Sequence, residues 1–250
     1  MGKIFEFRSD LPGTGHVTSC VSAAASWLAA ETGLNTAVIQ LPGGTNDICD
    51  GFDRHLSKDL KKEIYKKTGL SALLLMIRGG RLNEEKVRGC ALKTLSPSLD
   101  VFHGEGLIRG KEEDELSDVM ITEIGKVYDL VLVDCGAGRR IKADTTMWLL
   151  PQSKRAWKEH FEKKGKDKKD LFVVNGSLKN STAGPGSFRF SYGTELTMLP
   201  SCTGFMDALA EGTVVEFFRT MRNMGRYMPD HYFTSKTGEM VNKMLKGGGR

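Results

Sequence analysis

The chain has 250 residues, 40% of them hydrophobic and 27% charged, with a net charge of +5. That length supports one sizeable core, and the ordinary composition excludes disordered, collagen-like and coiled-coil classes. No apolar run approaches the roughly 20 residues of a membrane-spanning helix, and the first apolar stretch, Ile4 to Phe7, is broken by Glu6, so no secretory leader is expected.

Residues 3–8 alternate polar and apolar and predict a first strand. A loop holding Pro12, Gly13 and Gly15 follows, then a run of small and apolar residues from Val17 to Glu31. Val21, Ala24, Ala25 and Leu28 recur there at helical spacing, and Gly33 ends the run. Thr36 to Leu41 predicts a buried strand ending at Pro42. The charged segment 46–70 predicts a helix with Leu56, Leu60 and Ile64 on one face, whereas Leu70 to Met76 is apolar without a decisive period.

Leu99 to Phe102 predicts a short strand and residues 112–127 a helix. The run from Asp129 to Asp134 is the strongest strand in the chain, nearly all aliphatic or β-branched, as a central parallel strand covered on both faces requires. Residues 153–170 predict a basic helix and a Lys-rich turn, with Trp157 and Phe161 anchoring the helix one turn apart. Leu171 to Asn175 predicts another buried strand, and Ser177 to Tyr192 a polar, Gly-rich loop or hairpin. Thr197 to Pro200 predicts a last strand, Gly212 to Met224 a helix, and Glu239 to Lys246 a short amphipathic tail. This alternation predicts an α/β fold with a mostly parallel sheet flanked by helices on both faces. It is expected as one domain, residues 1–235, with 236–250 as a tail.

Cys20, Cys49, Cys90, Cys135 and Cys202 are scattered and form no Cys-x-x-Cys pair, so buried free thiols in a reducing cytoplasm are expected. The histidines show no spacing that suggests a catalytic triad or a metal pair. In open α/β sheets ligands bind beyond the carboxyl ends of the strands. Three segments converge there: the Gly loop, whose backbone N–H groups and following helix form a phosphate cradle; Asp134, a candidate magnesium ligand; and Asn175, whose amide could read a purine edge.

The order of strand, Gly loop, Ala-rich helix, Asp-Leu-Val-Leu-Val-Asp-Cys-Gly-Ala-Gly, Phe-Val-Val-Asn and Met-Leu-Pro-Ser-Cys-Thr-Gly-Phe-Met-Asp-Ala-Leu resembles the ParA/MinD group of P-loop ATPases, including its TadZ/CpaE branch. The likeness covers most of residues 3–218 and is patchy between 45 and 98. It implies a P-loop NTPase-like fold, ATP with Mg²⁺, and a homodimer enclosing two nucleotides. On the K-G-G-x-G-K-T pattern, Gly13 and Gly15 fall on the last two glycines, Leu11 on the signature lysine, His16 on the phosphate-gripping lysine, and Val17 on the magnesium-binding threonine, with Thr18 one place on. The aspartate pair after the second strand falls on Gln40 and Pro42, the Walker B aspartate on Asp134, and the switch-loop glycine on Gly138.

The resemblance therefore implies phosphate contacts from Gly13, Thr14, Gly15, His16 and Val17. It puts Mg²⁺ on Thr18 and Asp134 and the base near Asn175. The loss of two lysines and of the second-strand carboxylate implies weak or absent hydrolysis. Three readings follow: a nucleotide switch for partition or localisation, a scaffold of the same fold that binds protein partners without nucleotide, and a divergent ATPase in which His16 replaces lysine. Expected partners are a second copy and a protein of a partition, pilus or conjugation system. Non-specific DNA is a further candidate, through Lys154 to Lys169 or Arg219, Arg222 and Arg226. The weakly apolar tail Met240 to Lys246 gives no expectation of membrane binding.

Overall fold

Five of the six residues of the first strand, Lys3–Arg8, are buried, so its alternating polar residues face protein rather than water. The computed structural model describes residues 1–11, 16–42, 47–80, 82–104, 111–138, 140–165, 167–178, 181–224, 228 and 230–247, with backbone only at 58 and 111–115. The elements are β1 (Lys3–Arg8), α1 (Val17–Glu31), β2 (Thr36–Gln40), a 3-10 turn (Ile48–Gly51), α2 (Lys58–Lys67), α3 (Gly69–Arg78), α4 (Glu84–Gly89), β3 (Leu92–Lys93), β4 (Leu99–Phe102), α5 (Lys111–Gly125), β5 (Leu130–Asp134), β6 (Thr145–Leu149), α6 (Lys154–Lys164), β7 (Asp170–Ser177), α7 (Pro185–Tyr192), β8 (Leu196–Pro200), α8 (Thr203–Ala210), α9 (Val214–Met224) and α10 (His231–Lys246).

Among the described residues the strands form one sheet in the order β3-β4-β2-β5-β1-β6-β7-β8. All pairs are parallel except β3 with β4. The strand order reverses around β1, which lies between β5 and β6. This puts the carboxyl ends of β1 and β5 side by side at a topological switch point, with Phe7 in register with Asp134.

The two sheet faces carry different layers. Phe5, Phe7, Leu132, Met147 and Val173 point into a core built with α1, α8, α9 and α10. On the opposite face, α3, α4 and α5 cover Ile39, Val131 and Val133, whereas α6 and α7 cover Trp148, Phe172 and Val174. Helix α1 reaches its face closely because Ala23, Ala24 and Ala25 are buried and small.

Several expectations are corrected. Ser177 to Tyr192 is not all loop or hairpin: Pro185 opens α7, the Ser187 hydroxyl accepts from the Gly184 N–H at 3.2 Å, and buried Phe188 fastens the helix. The charged segment 46–70 is a 3-10 turn, a break and then α2, which Ser57 caps through the Leu60 N–H. The stretch Leu70 to Met76 is helical, within α3. The predicted Gly212 to Met224 helix begins at Val214 and is preceded by the unpredicted α8. Also unpredicted are α4, β3 and the central strand β6.

The expected tail Glu239 to Lys246 is the second half of α10, so the division placed after residue 235 falls inside a helix. Met240, Val241 and Met244 are buried in the core shared with α1. Met244→Ala is expected to cost about 2–5 kcal/mol, the range for emptying a packed apolar position. The urea midpoint measures it, and a loss below about 0.5 kcal/mol, the range of neutral surface changes, would detach α10 from the core.

Candidate functional site

Asp134 ends β5 and is 1% exposed. One carboxylate oxygen accepts the Thr18 hydroxyl, from the first turn of α1, at 2.7 Å, and the other accepts the Gly136 N–H at 3.0 Å. Gln40, in register with Asp134 on β2, adds a third hydrogen bond, from its side chain. Its amide oxygen is already occupied by the Ile48 N–H at 3.2 Å, which leaves the NH₂ group for the carboxylate. Burial pushes the Asp134 carboxyl above its ordinary value, and the Thr18, Gly136 and Gln40 donors pull it back in part.

The entrance to α1 is anchored from across the sheet. His16 takes a left-handed conformation, φ 49° and ψ 44°, and its side chain makes no capping hydrogen bond. It is the one non-glycine residue with positive φ among the described residues, a conformation that costs energy and that commonly marks working positions. The Asn175 amide at the end of β7 donates to the His16 carbonyl at 3.3 Å and to the Ser19 hydroxyl at 3.0 Å. Just before the loop, Asp10 pairs with the buried His160 of α6. Helix α1 is thus held by Asp134 through Thr18 and by Asn175 through its first turn, while α6 holds the strand-to-loop junction.

A second polar group was not foreseen from the sequence. Glu6 and Arg8 on β1 form a buried ion pair at 2.9 Å. Arg8 also donates to the Gly138 carbonyl at 3.1 Å. Glu6 accepts from the Ile141 N–H at 3.3 Å and from the Thr146 hydroxyl at 3.1 Å. The Ser9 N–H donates to the Gly136 carbonyl at 2.8 Å. Together these bonds pin the segment after Asp134 across the end of β1, and Trp148 supports the arrangement with its ring 4.8 Å from the Arg8 guanidinium carbon. The signal available in the sequence was two charges, two residues apart, in a strand with dry neighbours on both sides.

The predicted site residues fall as follows. Thr18, Asp134, His16 and Asn175 are brought together at the carboxyl ends of β5 and β7 and the start of α1, with Val17 buried beside them. Gly13, Thr14 and Gly15 lie outside the described residues. A hydroxyl and a carboxylate are hard oxygen donors, the pair that Mg²⁺ accepts when phosphates and water complete its shell. A nearby cation would also relieve the cost of ionising a buried carboxyl, so Thr18 and Asp134 fit that ion. No group of three or more His, Cys, Asp or Glu side chains forms a cage for a metal among the described residues. The five cysteines are buried and none forms a disulfide.

No protein-family model matches the sequence, and no curated protein sequence matches it. Solved structures do. A ParA family ATPase from Chlorobium tepidum TLS superposes with a TM-score of 0.70 at 15% identity, over 97% of this chain and 99% of the other. The septum site-determining protein MinD from Pyrococcus horikoshii OT3, complexed with Mg-ADP, gives 0.62 at 15% identity, over 98% of each chain. The MinC:MinD cell division complex of Aquifex aeolicus gives 0.63 at 14% identity, over 100% of this chain and 98% of that one. The chain therefore has the P-loop NTPase fold of the ParA and MinD structures.

Two expectations test this site. The stability that a carboxyl with a raised folded pKa contributes is complete below its unfolded value, about 3.9, and is lost as pH rises through the folded value. In EDTA, the melting temperature of Asp134→Asn should therefore gain on that of wild type as pH rises from about 4 to 8, whatever fixed offset the exchanged hydrogen bonds impose. Melting curves across that range check it, and a gap independent of pH contradicts it. Arg8→Met, which strands Glu6 in the interior, should cost about 3–5 kcal/mol, and adding Glu6→Gln should restore much of the loss. Denaturant titration checks both variants.

Proposed function

We propose that this chain is a nucleotide-responsive switch for partition or localisation, in the manner of ParA and MinD, with weak or absent ATP hydrolysis. The observation that carries the reading is the 2.7 Å bond joining Thr18 at the start of α1 to Asp134 at the end of β5, within the fold those proteins share. In this reading Gly13, Thr14, Gly15, His16 and Val17 face the phosphates, Thr18 and Asp134 hold Mg²⁺, and Asn175 lies on the base side. When bound, the metal would supply charge neutralisation beside the phosphates. Hydrolysis is expected to be slow because His16 and Leu11 stand where lysines would bring positive charge, and Gln40 where a carboxylate would orient water. A second copy of the chain and a protein partner complete the switch; a MinD of the same fold is solved in complex with MinC. A cytoplasmic setting suits the five free thiols. No helix among the described residues is long and apolar enough to cross a membrane.

One observation favours a second reading, a scaffold that works without nucleotide. The Asp134 oxygens are already satisfied by Thr18, Gly136 and Gln40, so the chain holds this geometry with its own donors. For the C-terminal arginines, Arg219 donates to the Ser96 hydroxyl and Arg222 to the Ala30 carbonyl, which holds both against the body of the protein with Arg222 still mostly exposed, and Arg226 lies outside the described residues.

Thermal melting with millimolar Mg-ATP separates the readings. The switch predicts a rise of several degrees, as about 2.7 kcal/mol of linkage at a hundredfold excess over Kd requires. The rise should fall away in Thr18→Ala, with phosphate release near background. No rise identifies the scaffold, and turnover abolished by His16→Ala identifies an active ATPase.

A further inference from the structure

On the flank of the sheet, α6 and α7 border a cleft of about 250 Å³ lined by Lys154, Trp157, Ser187, Phe190, Ser191 and Tyr192. Its wall is rigid. The Trp157 indole N–H donates to the Pro151 carbonyl at 2.8 Å, Trp157 meets Phe188 edge-on at 4.9 Å, and Tyr192 stacks on Phe161 at 4.1 Å. At its rim Phe190 is 93% exposed, an extreme value for a large apolar ring on a well-packed helix. The volume is below that of a usual cofactor pocket and suits one or two side chains.

The charge around the cleft is one-sided. Helix α6 carries five cations against two carboxylates, and α7 carries Arg189 and no acid. Lys154, at the mouth of the cleft, has no ion-pair partner among the described residues. Helical spacing puts Lys158 one turn further along the same side, where it reaches Glu162 only at 3.7 Å. A preformed aromatic wall, one exposed ring and a free lysine are the parts of a binding hot spot.

We infer that the α6–α7 cleft docks an acidic peptide segment of a partner protein, which inserts one aliphatic or aromatic side chain against Trp157 and Phe190 while its carboxylates face Lys154 and Lys158. Nucleic acid fits less well, because Glu159 and Glu162 pair with Arg155 and Lys158 and interrupt the α6 cations, and a phosphate backbone needs a continuous cationic track where a short peptide needs only the charge at the cleft mouth.

Selection of random twelve-residue peptides on phage against the immobilised full chain tests the inference, followed by anisotropy titration of labelled winners. The expected winners carry Leu, Ile, Phe, Tyr or Trp flanked by Asp and Glu. Phe190→Ser, Lys154→Glu, and removal of the apolar residue from the peptide should each weaken binding by about tenfold or more, the mark of a hot-spot contact. Phe190 and Lys154 are exposed, so both variants should melt with the parent chain. A selection that yields no winners, winners without the acidic and apolar pattern, or winners that bind both variants undiminished would overturn the inference. So would a single-stranded 20-residue oligodeoxynucleotide that binds the parent chain more tightly than the peptides and is lost in Lys154→Glu.

Discussion

The architecture depends on burying a charged strand at the middle of the sheet. β1 has paired neighbours on both sides and protein above and below, yet it carries Glu6 and Arg8 on one face. A buried charge needs partners, and it is costly to strand one. Here most come from Gly138, Ile141 and Thr146, while the Arg8 Nε has no hydrogen-bond partner and the guanidinium lies over the Trp148 ring, so the need to satisfy the charges of β1 also fixes where the chain goes after Asp134. The apolar clusters under α3–α5 and under α6–α7 meet the same sheet face on either side of this polar line. A charge pair that adds little net stability thus governs the shape of the loop beside the carboxylate.

The sheet was legible where residue type and topology demand the same thing. Leu130 to Asp134 reads as a covered strand because an unbroken aliphatic run has no other use, and Val17 to Glu31 reads as a close-packed helix from its small residues. What escaped had weaker local signals. Thr145–Leu149 is β-branched and aromatic but follows a basic, Gly-containing stretch that reads as loop. Helix α7 has almost no amphipathic period and depends on Pro185, Ser187 and one buried ring. In the second half of α10 the apolar residues Met240, Val241, Met244 and Leu245 stand among polar and charged ones, and it is packing against α1, α9 and β8 that makes the first three core.

The candidate site was legible in part for a similar reason. Asp134, Thr18 and Asn175 could be placed because each stands at an element boundary, where a strand end or first helical turn projects a side chain toward the same rim. Their mutual contacts could not, since Asn175 reaching Ser19 spans 156 residues of sequence. The expected base reader spends its amide nitrogen on the entrance to α1, which makes it a brace for the helix as well as a candidate ligand contact. Gln40 shows the opposite case: a residue judged as a missing carboxylate proves to be a donor that keeps Asp134 in place.

The two margins of the sheet carry a consequence for self-association. One ends in β3, two residues long and running against its neighbour, with Lys93 drawn to Asp100 at 2.6 Å. The other ends in β8, which finishes at Pro200 and packs beneath α10. Short, charged or proline-tipped rims make poor templates for added strands. Both rims therefore disfavour ribbon-to-ribbon growth of copies into fibrils, which leaves the helix and loop faces as the surfaces better suited to self-association.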